Sequence, residues 1–144
     1  MSIEQNKHLV QHAFTRLFNH GELALADDLV SADFLNHEAP PNAPRGPAGL
    51  RSMVMMLRTA FPDLHYDTEE VIAEGDKVVD RTTLRGTHLG PFMGIPPTGR
   101  PFVQAQIHIL RFVDGKAVEH RAVRDDLGML QQLGVIPARN EAEA

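Results

Sequence analysis

The chain has no cysteine, no tryptophan and a single tyrosine, Tyr66. Without cysteine there can be no disulfide, no thiolate metal ligand and no cysteine nucleophile. Roughly 18 consecutive apolar residues mark a bilayer-spanning helix, and no stretch supplies them. The N-terminus shows no apolar signal core with a cleavage site, so a cytoplasmic location is the default expectation. Positive charge is scarce too. Lys and Arg number 14 against 19 Asp and Glu, a formal net charge of −5. Bulk attraction to nucleic acid or to an anionic membrane is therefore not expected. The 144 residues, 42% hydrophobic and 23% charged, fit one globular domain with a sizeable core.

The first half of the chain has helical spacing. Ser2 and Gln5 suit a capping box. Val10, Ala13, Phe14 and Leu17 recur as one helical face, and Gly21 is placed to end it. A short second helix is expected over Glu22–Leu29. Residues 36–47, NHEAPPNAPRGP, read as a proline-restricted loop. A third helix follows from Pro47 to about Phe61, with Leu50, Val54, Leu57 and Phe61 on one face, and Pro62 stops it.

The second half is strand-like. Expected strands cover Leu64–Ala73, Lys77–Thr87, Phe102–Val113 and Lys116–Val123. A Gly/Pro-rich segment, residues 86–102, connects the second to the third. Gly128 lies near a short final helix, and the tail from residue 138 is expected to fray. Helices followed by antiparallel strands argue for an α+β layer fold, a cone-shaped curved antiparallel sheet packed on the N-terminal helices.

The last hairpin decides which residues share a face, and two turns are open. A two-residue Asp114-Gly115 turn opposes Phe112 to Ala117 and His108 to Arg121, and groups Gln106, His108, Arg121 and Asp125. A three-residue turn over Val113–Gly115 opposes His108 to His120, with Ala122 and Arg124 on their face. A slip of one residue exchanges the whole set. The longer turn is favoured because it asks a positive φ of Gly115 alone.

His108 follows Gln104 and Gln106 on one strand face, which suits either a pocket or a hydrogen-bonded wall. His120 and His88 carry the same two readings, and His8, His12, His20 and His65 read as surface positions. No histidine pair has a recognised metal spacing, so no metal is expected. Asp125 and Asp126 precede the last helix. One can cap it, and Asp125 can equally be a pocket base. Arg81 and Thr83 share one face of their strand and Asp80 takes the other. An inward Arg81 would need a carboxylate partner such as Asp125. Asn36 can meet a substrate carbonyl or form a local Asx-turn. Phe92 and Met93 can cap the open end of the cone or pack on a subunit neighbour.

Several segments together resemble the SnoaL-like polyketide cyclases of the nuclear-transport-factor-like fold. They are Phe34-Leu35-Asn36, Ala60-Phe61-Pro62-Asp63, the 86–102 segment, His108 with Arg111, Val113–Lys116, His120-Arg121, Gly128 and Gln132-Leu133-Gly134. The resemblance implies an intramolecular aldol closure run by an aspartate acid/base, with His108 and Asn36 in the same cavity. Aligned on His120-Arg121, that aspartate falls at Ala122, and Asp125 would have to replace it.

The expectation is a cofactor-free acid/base enzyme acting on a small hydrophobic carbonyl compound. Its expected catalytic residues are Asp125 and His108. Its expected substrate-binding residues are Asn36, Arg81, Gln106, His120, Arg121 and Phe92. The alternative is a non-catalytic binding or assembly module, which Ala122 favours. An epoxide hydrolase needs two carboxylates around an arginine, and Thr83 two residues after Arg81 argues against it. Apolar positions on the sheet's outer face point to a homodimer or a higher homo-oligomer.

Overall fold

The computed structural model describes residues 2–138. The tail expected to fray lies, beyond Ala138, outside these residues. Ser2 closes the expected capping box with Gln5 at the start of α1 (Ile3–His8). The helix continues through a π-helical stretch, Leu9–Phe14, into α2 (Thr15–His20). Gly21 ends it at φ 67°, the left-handed conformation that glycine adopts most readily. The expected second helix is a 3₁₀ turn, Leu23–Leu25, followed by α3 (Ala26–Leu29). The third is α4 (Gly46–Ala60), with Pro47 in its first turn.

The sheet has the order β1-β5-β4-β3-β2. Its members are β1 (Val30–Asn36), β2 (His65–Glu74), β3 (Lys77–Thr87), β4 (Pro101–Val113) and β5 (Lys116–Arg124). Four of these match the expected strands within one or two residues. β1 does not appear in the sequence reading, and it pairs parallel to β5, so the sheet is not wholly antiparallel. Its two fully buried residues, Val30 and Phe34, are four apart, a spacing that also suits a helix. Only the partner strand makes it a strand.

The last hairpin combines the two open readings. The turn is the tight one, with Val113 opposite Lys116, and both Asp114 (φ 50°) and Gly115 (φ 80°) take positive φ. Aspartate tolerates that conformation, and such a turn matches the twist of the strands. The favoured three-residue turn is thereby corrected. A bulge follows at once, since Arg111 opposes Glu119 while Phe112 opposes Ala117. Val118 is the extra residue. It returns His108, His120, Ala122 and Arg124 to one face, with His108 now directly opposite Ala122.

The core divides into two clusters. Val10, Phe14, Leu17, Phe34, Leu50 and Val54 belong to the larger one, between the helices and the sheet. Phe61, Leu84, Phe102, Met129 and Leu133 belong to the smaller one, below α5 (Asp126–Gln132). The 86–102 segment is strapped to this second cluster. Leu89 and Gly90 donate N–H to Ala60 O, and buried His88 accepts at Nδ1 from Thr98 N–H. No helix among the described residues is long and apolar enough to cross a membrane.

Candidate active site

A cavity of about 80 Å³ opens between the helices and the inner face of the sheet. Its apolar wall includes Val10, Phe14 and Phe18 from the N-terminal helix, and Leu50, Met53 and Leu57 from α4. Its polar side comes from the strands: Asn36, Tyr66, Asp80, Thr82, His108, His120 and Arg124. A larger recess of about 410 Å³ lies against the proline-rich loop and shares Phe34, Asn36 and Leu50 with the cavity.

Strand alternation selects the inward residues. On β3, Val78, Asp80, Thr82 and Leu84 turn inward while Arg81 and Arg85 are exposed. On β4, Gln104, Gln106 and His108 do the same. Tyr66 is held by Asn19, whose side chain accepts from Tyr66 N–H (2.7 Å) and donates to Tyr66 O (3.1 Å). Burial pushes its hydroxyl pKa up to about 12, so it stays protonated.

A hydrogen-bonded chain crosses the polar side. Asn36 Oδ1 meets His120 Nδ1, His120 Nε2 meets His108 Nδ1, and His108 Nε2 meets Gln106 Oε1, each at 2.7 Å. Gln106 Nε2 donates to Gln104 Oε1 (2.7 Å), and Gln104 Nε2 donates to Asp126 Oδ1 (3.1 Å). Asn36 Oδ1 also accepts from Glu38 N–H, which is the expected Asx-turn. Burial, then the Arg124 charge, lowers the His108 pKa to about 4. Burial, then the charges of His108, Arg124 and His37, lowers that of His120.

Asp80 sits directly across β3–β4 from His108. Its Oδ1 is buried and accepts no hydrogen bond from any described residue. Burial raises its pKa to about 6. It is the one carboxylate among the cavity-lining residues. Of the two β-neighbours of His108, one is therefore Asp80 and the other is Ala122.

Asn36, His108 and His120 are thus brought together at the cavity, with Gln106 behind them. Four expected site residues lie elsewhere. Asp125 is exposed and caps α5, its Oδ1 accepting from Gly128 N–H at 2.9 Å. The chain leaves the sheet at this residue, so alternation no longer turns it inward. Arg81 is on the outer face, its Nε bonded to Glu70 at 2.6 Å, which corrects the inward pairing with Asp125. Arg121 is also outside, 3.6 Å from Glu119, because the bulge assigns it that face. Phe92 packs on Phe61 in the second cluster, with ring centroids 4.9 Å apart, and does not line the cavity. Asp80, Tyr66 and Arg124 were not among the expected site residues. The available signal was an aspartate alternating with Val78, Thr82 and Leu84 on a buried strand face.

Known proteins share this architecture. TsrD from Streptomyces laurentii superposes with a TM-score of 0.87 at 29% identity, over 94% of this chain and 99% of that one. IdmH from Streptomyces antibioticus gives 0.75 at 33% identity, over 91% and 99%. In sequence, the chain is 36% identical to aklanonic acid methyl ester cyclase DnrD from Streptomyces peucetius, over 81% of this chain and 83% of that protein. It is also 36% identical to the nogalonic acid methyl ester cyclase of Streptomyces nogalater, over 81% and 89%. The profile of the SnoaL-like polyketide cyclases matches residues 8–133, and the chain belongs to that family.

Proposed function

We propose that the protein is a cofactor-free acid/base catalyst that closes a ring in, or isomerises, a hydrophobic carbonyl compound, with Asp80 as the base. One observation carries this reading: a carboxylate whose buried Oδ1 has no hydrogen-bond partner among the described residues, and whose pKa is raised to about 6, faces a cavity whose other polar groups are neutral or cationic. A base works best with a pKa near the working pH. Ionised Asp80 takes a proton from a carbon flanked by carbonyls, and the resulting carbanion adds to a second carbonyl carbon. The proton returns from Asp80 to the new alkoxide, so atoms and charge balance without a co-reactant. His108 and Arg124 are the groups available to hold the enolate oxygen in a dry site. Kinship with the ester cyclases supports ring closure as the reaction class.

The enclosed space limits the substrate. About 80 Å³ is well below the roughly 300–1,000 Å³ of a drug-sized pocket. The reacting β-dicarbonyl unit enters the cavity, and the remaining skeleton lies in the recess by the proline-rich loop. The test is deuterium exchange at the activated carbon of aromatic β-keto esters and β-diketones, followed by NMR in D₂O. Exchange above buffer that disappears in Asp80→Asn supports the reading. Binding without exchange sinks it and leaves a binding module of the same fold.

We also propose that a second copy covers the outer face of the sheet. Val103, Ile107, Ile109 and Val123 are exposed there, with Ile107 directly opposite Val123. Ile107→Glu should then shift the sedimentation coefficient to that of a monomer. A wild-type protein that already sediments as a monomer overturns this.

A further inference from the structure

The half-buried His108 and the buried His120 are bracketed by carbonyl oxygens. Running outward, the contacts are Asn36 Oδ1 to His120, His120 to His108, and His108 to Gln106 Oε1. Each of these three contacts needs one hydrogen. Two neutral imidazoles bring one N–H each. A neutral pair therefore leaves one contact as two lone pairs facing each other at 2.7 Å.

Reversing an amide does not remove the deficit. Asn36 must present its oxygen, because that oxygen also accepts from Glu38 N–H. Gln106 is held through Gln104 to Asp126, whose carboxylate can only accept when ionised. Both ends of the chain are thus acceptors, and Asp126 is exposed to water. From Asn36 to Asp126 there are five links and four neutral donors.

We propose that His108 and His120 share one extra proton in the resting protein, forming a singly charged pair that binds an enolate or another delocalised oxyanion. The charged groups around it divide by sign. Arg124 on β5, with His37 beyond Asn36, opposes the added charge. Asp80, on the neighbouring strand, favours it. Tyr66 on β2, protonated, is neutral. The helices bring only uncharged side chains, such as Met53 and Thr15, to the cavity. Burial favours neutral rings, but a neutral pair forfeits either a 2.7 Å contact at the rings or, with both glutamines reversed, the Gln104–Asp126 contact. Ionised Asp80 across the ladder supplies the counter-charge. Asp80 and the pair titrate together, so the proton belongs to the group and not to one ring. Asn36, Gln106, Gln104 and Asp126 are the positioning residues that impose this state. The use of the charge in turnover rests on the reading above, but its existence does not.

The test uses the ligand-free protein labelled with ¹⁵N at histidine, at pH 7, and counts imidazole N–H groups on the two rings by long-range ¹H–¹⁵N correlation. The wild-type pair should carry three. Gln106→Met removes one acceptor and should lower the count to two. Asp126→Asn, at an exposed position that does not threaten folding, should do the same. The new amide can donate to Gln104, both glutamines can reverse, and Gln106 can then donate to His108. Two N–H groups in the wild-type pair overturn the proposal. A third that persists in both variants overturns it as well. Since no substrate is present, a protein inactive in carbon-acid exchange can still carry the charged pair, and an active one can lack it.

Discussion

Asp80 and Arg81 are neighbours in sequence and opposites in the fold. Arg81 points to solvent and pairs with Glu70, one of a row of outer-face ion pairs that includes Arg85–Asp67 and Arg121–Glu119. Asp80 points into the cavity, where its Oδ1 has no hydrogen-bond partner among the described residues. Both faces carry ionisable side chains, yet only the inner set is strongly perturbed by burial. On the outer face Glu119 is held down to about 2, by the Arg111 guanidinium first and then by His37. That is pairing at the surface and requires no active site. The comparison teaches that a charged residue on this sheet acquires chemistry from the side of the pleat it occupies.

The largest break in this comparison should come from Asp80→Asn. Exchange activity should fall by about 10²–10⁴-fold, the usual contribution of a positioned base, while circular dichroism stays native. A smaller but more specific effect is expected from restoring a carboxylate on the other flank of His108. Asp80→Asn combined with Ala122→Asp should regain part of the lost rate, because residues 80 and 122 both oppose His108. No recovery would mean that the two flanks are not equivalent.

The pH dependence sharpens the contrast further. Exchange should increase as pH rises through about 6, where Asp80 ionises. Its pKa is higher folded than unfolded, so the folded state binds this proton more tightly. The associated stability is full below about 4, the ordinary aspartate value, and is lost as pH rises through about 6. Thermal melts of Asp80→Asn should lack that decline. The smallest effects belong to the outer face. Arg81→Ala should cost under about 1 kcal/mol in denaturant titration and leave exchange intact. Asp125→Ala should cost about 1 kcal/mol through the lost cap, while Asp125→Asn should change neither stability nor rate.

Much of this was legible from the order of the residues. The capping box, the stop at Gly21, the helix ending before Pro62 and the four long strands each depend on local spacing, and local spacing survives folding. The strand pattern led to His108 and His120, and the family resemblance to His108 and Asn36; all three line one cavity. What failed had a non-local cause. β1 exists because β5 offers it a parallel edge, and its own pattern suits a helix as well. Arg121 moved outside because an unpaired Val118 changed the register after a tight turn. Asp125 became a cap because the strand ends before it. Alternation alone puts Asp80 on the face opposite Arg81, but nothing local says that this face is the cavity.

The sequence by itself determined the element types, the α+β order and the residue chemistry available, since periodicity and capping are properties of neighbours along the chain. Only the tertiary structure decided which carboxylate meets the histidines. That choice depends on one bulge and on the pairing of β3 with β4. A single-residue change of register inverts every side chain beyond it.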